Sequence, residues 1–571
     1  MDVMETTTTV QSPRRPRVLV GIAPYTGTFG TSELTHLLKR TLLGVSKADL
    51  DAFKGKTLTT VVDALLVAPA AIPAPPVRDY ADKKANGVVI IDQKENFVVL
   101  GETWVGKSTN YSAANQGNYD GERRTSLRAW WMGQIINQER TVFEKMVIFW
   151  HNHFANESEA TNANRFFNQL TLLRKHSLGN FKTFVKDITF DPGMLRYLNG
   201  YVNRKTAPDE NYGRELLELF TLGKGPNSKY TEDDVKAAAK LLTGWADEYV
   251  ETPVGSGKFQ YVVKLTPNNH EPASKTFSSY FGGKVIAGSI DEIGAKREVD
   301  DLLTMIFAQD EVAKFICRKL YRHFVYYDID ATTESEVITP LADIFRQNNY
   351  DVIPVLKTLF MSQHFFDVAN RSCLIKSPID YVAGIAKELN IAIPDATTLE
   401  AQYSGWNYFI GTSNKGAGAQ GQYLSEPPNV AGWPAYYQEP VFHEYWINTD
   451  SFPNRVTFVT KHILGNGYSL GSSKTLIADL VKFTNQFGTA AEDPNTLIEA
   501  VFALLYVVPV SAKFKAYAKN ILLSGQASDY YWTEAWNTYK ATPTASNLKI
   551  VNDRLKTFYQ FIMTQPEYHL S

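Results

Sequence analysis

Two histidines one residue apart are the first candidates for chemistry in this chain. In IFWHNHFANE, residues 148–157, His151 and His153 flank Asn152. Imidazole is the commonest metal ligand and the side chain whose protonation changes nearest neutrality. On a regular helix, residues i and i+2 lie about 200° apart, so both rings could address one ion only where the helix ends or unwinds. Phe154, Ala155 and Asn156 follow, and the next helical pattern starts near Asn162, so a helix end is expected here. Glu144, seven residues before His151, would share its face. The alternative is that both rings cap a helix and hydrogen-bond within the core.

A second element is TAPDENYGRELLELFTLGKG, residues 206–225. Pro208 suits a first helical turn, Asp209 and Glu210 suit the positive end of the helix dipole, and Gly223 suits the C-terminal cap. With Tyr212 at the origin of the wheel, Leu216, Leu219 and Phe220 fall within about 80° and form the expected buried stripe. Asn211, Glu215 and Glu218 then make a polar strip along its edge, with Arg214 pointing away. Two glutamates at i, i+3 can act as metal ligands or as an acid–base pair. They are equally at home on an ordinary solvated helix face.

These residues need a helical scaffold, and the hydrophobic spacing supplies one. Leu34, Leu37, Leu38, Leu42 and Leu43 recur at helical period after Ser32, and Ser46 and Thr57 mark two further starts. A Pro/Ala linker, residues 68–78, cannot be helical through its prolines. GVVIID and FVVLGETW, separated by QKEN, predict a small β-hairpin near 87–104. Residues 123–250 are helical in pattern throughout, and 251–289 are a β-branched, Gly/Pro-containing excursion with minor strands around 258–282. Helices resume over 291–390, a Gly/Pro/aromatic loop spans 411–450, and helices return to the end. The expected fold is mainly α, a large multi-helical bundle-like assembly. Its expected divisions are a disordered or extended leader (1–30), a main helical domain (31–465) and a packed C-terminal helical region (466–571).

Composition excludes several classes. The 571 residues are 44% hydrophobic, enough for a large core. The 58 Lys+Arg against 60 Asp+Glu give a formal charge of −2. That balance lacks the basic field that nucleic-acid binding needs, so no nucleic-acid partner is expected. With only Cys317 and Cys373, a disulfide framework and a Cys-rich metal site are both excluded. No run of 18 apolar residues occurs, so no transmembrane helix is expected. Arg14-Arg15 resembles an export signal, but the apolar stretch Val18–Ala23 is too short and is broken by Gly21, so a cytoplasmic location is expected. There is no GxxxxGK[ST], GxSxG or HExxH, which removes the anchors of the P-loop, α/β-hydrolase and zincin readings.

The runs FWHNHF, ENYGRELLELFTLG, KLLTGW (240–245), HEPASKTF from His270, and EPPNVAGWP (426–434) occur in this order. With IKSPIDYV (375–382) and WIN (446–448) they resemble the blocks of the bacterial family known as domain of unknown function 1800, from about residue 32 to 465. The resemblance implies an α-dominated fold and no established activity. It also implies a partner, since relatives are often encoded beside proteins of the phosphatase/sulfatase group. It places His151, Asn152, His153, Asn211, Arg214, Glu215, Glu218, His270 and Lys275 in family blocks.

Two functions follow as expectations. The first is a metal-dependent hydrolase or transferase, with His151, His153 and Glu215 holding a divalent metal and Glu215, Glu218, Asn211, Arg214 and His270 as catalytic residues. The second is a non-catalytic binding or scaffold protein acting with that partner on cell-surface polymer, in which the His/Glu groups are a buried hydrogen-bond network. The EPPNVAGWP segment is a rigid turn-rich loop anchored by Trp433, or an aromatic platform for sugars.

Overall fold

The computed structural model describes residues 21–90, 94–108, 119–394, 397–411, 415–471 and 474–571. Most of the leader and residues 412–414 of the Gly-rich segment fall outside them. The described residues are 56% helical. Every sheet among the described residues is a two-stranded antiparallel ribbon, so helix packing alone builds the core. Buried side chains from Leu34 to Tyr568 form one continuous cluster. None of the described helices is long and apolar enough to cross a membrane.

Local chemistry accounts for the elements. Ser46 and Thr57 cap Lys47–Phe53 and Leu58–Leu65 by accepting from Asp49 and Thr60 amides, as their positions predict. Asp310–Phe324 buries Val312, Ala313, Ile316, Cys317, Leu320 and Phe324, one stripe at helical period. The same spacing puts Phe315, Lys319, Arg322 and His323 together on a neighbouring face. Phe143–His153 repeats the arrangement with Lys145, Phe149, Asn152 and His153. Cys317 is buried and Cys373 half-buried, and both are free thiols.

Three local expectations change. The hairpin pairs Lys84–Ala85 with Val88–Val89 and turns at Asn86-Gly87, both at positive φ, rather than across QKEN. Asn-Gly accepts two left-handed residues at low cost, so the tight turn forms there. Trp245–Glu251, read as the end of a helix, is a strand paired with Phe259–Leu265. The Asn211 helix widens to π geometry over Leu216–Thr221. At that wider pitch Leu216, Leu217, Phe220 and Thr221 are buried, while Leu219 is only partly so.

Candidate functional site

The faces of Phe143–His153 and Asp310–Phe324 meet at an enclosed cavity. Its wall includes Lys145, Phe149, Asn152 and His153 from the first helix and Lys319, Arg322 and His323 from the second. The Phe149 and His323 rings touch edge to face at 5.2 Å where the helices approach. Arg40 enters from Thr31–Thr41, and Ser377 and Asp380 from the start of Pro378–Glu388. Tyr436, Phe442, His443 and Trp446 close the opposite side. The space open to the centre of a water molecule is about 50 Å³. One water needs roughly 10–15 Å³ on that measure, so the cavity suits a ligand of a few heavy atoms.

The wall carries Arg40, Lys145, Lys319 and Arg322 against one acidic side chain, Asp380, with Ser377, Tyr436 and Ser571 among its hydroxyl-bearing residues. Arg40 is 1% exposed, and its Nη2 donates to the Asn370 carbonyl at 2.7 Å. Its Nε and Nη1 have no hydrogen-bond partner. The His443 Nδ1 accepts from the Ile375 amide at 3.2 Å, so its proton sits on Nε2, which is also unpartnered. Burial and the Arg40 charge hold that ring neutral, its pKa lowered to about 4. Asp380 is the one carboxylate side chain on the wall, and Lys145 already pairs with it at 3.1 Å.

His153 and Lys319 meet directly on the wall. The His153 Nε2 lies 3.1 Å from the Phe220 carbonyl, which can only accept, so Nε2 carries the proton. Nδ1 is then a bare acceptor, and the Lys319 Nζ donates to it at 2.9 Å. Burial first, then the charge of Lys319, keeps the His153 ring neutral. No described carboxylate pairs with Lys319; burial and Arg322 lower its pKa to about 7. The Phe315 ring lies under its ammonium, 5.0 Å from the centroid.

The EPPNVAGWP loop docks on Asn152 beside the cavity and leads into Ala435 and Tyr436 on its wall. The Trp433 amide donates to Asn152 Oδ1 at 2.8 Å. Gly432 has φ +89°, and a Cβ there would lie 2.2 Å from Asn152 Oδ1 and 2.6 Å from its carbonyl oxygen. Only glycine permits this approach. Trp433 itself is 2% exposed, which fits an anchor rather than a sugar platform.

Three of the segments that suggested a family, FWHNHF, IKSPIDYV and WIN, thus contribute residues to one cavity. A family model described as Protein of unknown function (DUF1800) matches residues 36–570. The chain belongs to that family. The match extends past residue 465, where the sequence blocks end, and takes in the C-terminal helices. Searches of curated proteins and of solved structures find no match.

The other expected site residues lie elsewhere in the DUF1800 fold. His151 is fully buried among Trp131, Phe166 and Trp433, with ring centroids 5.2–5.6 Å away. Neither of its nitrogens completes a hydrogen bond, and burial lowers its pKa to about 4. The helix runs unbroken through His153, so the two rings face different surroundings. Glu215 stands beside Glu218; burial and that neighbour push its pKa up to about 7, and its Oε2 is unpartnered. Glu218 pairs with Lys224, and Arg214 with Glu210 and Glu232. Asn211 is exposed. None of these lines the cavity. Among the described residues, no three His, Cys, Asp or Glu side chains converge as a metal site.

His270 belongs to a separate buried network. Its Nδ1 donates to the Thr243 carbonyl at 2.8 Å and its Nε2 lies 3.1 Å from Glu298 Oε1. Lys275 reaches the other Glu298 oxygen at 2.5 Å. The HEPASKTF block is therefore a clamp that ties an irregular segment to Glu292–Phe307. Sequence reasoning missed Arg40, Lys145, Lys319, Arg322, His443, Asp380 and Glu298. The i, i+3, i+4 spacing of Lys319, Arg322 and His323 was the available signal.

Proposed function

We propose that the protein binds a small oxyanion (carboxylate, phosphate or sulfate) in the cavity between Phe143–His153 and Asp310–Phe324. One observation carries this reading: Arg40 is buried on the wall with two unpartnered N–H groups. A buried guanidinium with two of its three nitrogens unpartnered is costly, and an anion would satisfy them with charge-assisted bonds. The unpartnered His443 Nε2–H supplies a further donor. The phosphatase/sulfatase-like partner implied by the family resemblance would release phosphate or sulfate, anions of a size the cavity admits. Isothermal titration of the full chain with inorganic phosphate, sulfate and acetate tests the proposal. At least one should bind the wild type and lose binding in Arg40→Met. Heatless titrations with all three would overturn it.

A second reading, acid–base or metal-assisted chemistry at Glu215, is favoured by a different observation. Its carboxyl is half-buried beside Glu218 with a raised pKa, the setting in which one of two carboxyls holds a proton near neutrality. Glu218 would be the ionised partner, with Arg214 and Asn211 bordering the pair. The His ligands expected for a metal, His151 and His153, do not converge on it.

A further inference from the structure

We infer that Lys319 is an amine nucleophile that captures a small carbonyl-bearing carboxylate, of the 2-oxo acid class, as an imine. The inference rests on the anion-binding reading and assigns the ligand a second functional group. Three arrangements support it. The His153 Nδ1 is fixed as an acceptor 2.9 Å from Nζ, because the Phe220 carbonyl occupies the other ring nitrogen. Among the described residues no carboxylate holds the amine in its charged form, whereas Arg322 on the same helix disfavours that form. On the same wall, the buried Arg40 guanidinium, with Nε and Nη1 unpartnered, supplies a positive charge for a carboxylate. An anchor at one end and an amine on the same wall suit a molecule with a carboxylate next to a carbonyl. The size of the cavity suits only a short one.

The step balances with residues already on the wall. The Nζ lone pair attacks the carbonyl carbon; a C–N bond forms as the C=O π pair moves onto oxygen. His153 Nδ1 takes a proton from Nζ and passes it to that oxygen, giving a carbinolamine. The second Nζ proton follows the same route as the nitrogen pair closes the C=N bond and the hydroxyl leaves as water. Both amine protons and the carbonyl oxygen thus depart as one water, and no oxidant or reductant is consumed. An amine neutral near pH 7 is the usual basis of such lysine reactivity.

Reductive trapping tests this on the full chain. The protein is incubated with glyoxylate and cyanoborohydride near neutral pH, and the carboxymethylated lysines are mapped by peptide mass spectrometry. Lys319 should be modified roughly tenfold or more faster than exposed lysines such as Lys54, since far more of it is unprotonated. Inorganic phosphate should slow that modification alone, and Lys319→Arg should abolish it. If Lys319→Arg does not fold, the wild-type map decides by itself. Modification spread evenly over surface lysines overturns the inference, and calorimetric phosphate binding in the same sample would leave the anion reading standing. If phosphate also fails to bind, both fall.

Discussion

Replacing Lys319 by Met should make the protein more stable, and by an amount that depends on pH. In the folded chain the Lys319 pKa lies near 7 rather than at the ordinary 10.5. Between those values the folded state binds fewer protons than the unfolded state, so stability rises with pH across the window. Integrating the shift gives a penalty on the folded state of about 4 kcal/mol at pH 7 and about 2 kcal/mol at pH 9. Met keeps most of the stem that packs on Phe315 but loses the hydrogen bond to His153, worth about 1 kcal/mol. The net gain expected for Lys319→Met is therefore about 3 kcal/mol at pH 7, falling to about 1 kcal/mol at pH 9. Urea unfolding of wild type and variant at both pH values, followed by tryptophan fluorescence, reads this difference. A variant less stable than wild type at pH 7, or a gain equal at the two pH values, would refute the picture of an uncompensated buried amine.

Three further outcomes are expected. Glu298→Ala strands both His270 and Lys275 in a dry environment and should destabilise the fold by roughly 3–5 kcal/mol in urea, as loss of one member of a buried ionic group does. Gly432→Ala combines positive-φ strain of about 1–2 kcal/mol with a contact that the Asn152 backbone cannot relieve. Faster limited proteolysis near residue 432 and weaker phosphate binding should follow, with far-UV circular dichroism unchanged. For Glu215, the raised pKa means the folded state binds more protons between pH 4.5 and about 7, so stability falls as pH rises across that interval. Glu215→Gln should flatten this slope and raise stability at pH 7.5 by roughly 1–3 kcal/mol, measured as the urea midpoint against pH.

The helical class, the caps at Ser46 and Thr57 and the excursion before residue 290 were legible in the sequence because each depends on neighbours within a few positions. The HNH element stood out in the sequence, but the surroundings of each of its side chains did not. Three successive side chains serve three purposes: His151 fills an aromatic box, Asn152 holds the Trp433 loop, and His153 meets Lys319. Spacing shows that i and i+2 diverge on a helix but not what waits on either side. Likewise the wheel placed Glu215 correctly at an edge and misjudged Leu219, because the π widening over Leu216–Thr221 leaves no mark in the residue pattern. Arg40 lies hundreds of residues before Asp380 and His443, and only tertiary packing joins them.

The end of the Asn211 helix has a consequence at a distance. Gly223 has φ +77°, and a side chain there would strike the Phe315 ring within 2.7 Å. By stopping the helix, this glycine leaves the Phe220 carbonyl spare for an imidazole 67 residues away in sequence, and it leaves room for the ring that underlies the Lys319 ammonium. One more turn of helix would claim that oxygen for the backbone and let the imidazole exchange its proton between nitrogens. The basicity presented to a visiting molecule is thus inherited from the length of a neighbouring helix, and a change at residue 223 would retune the chamber without touching its lining.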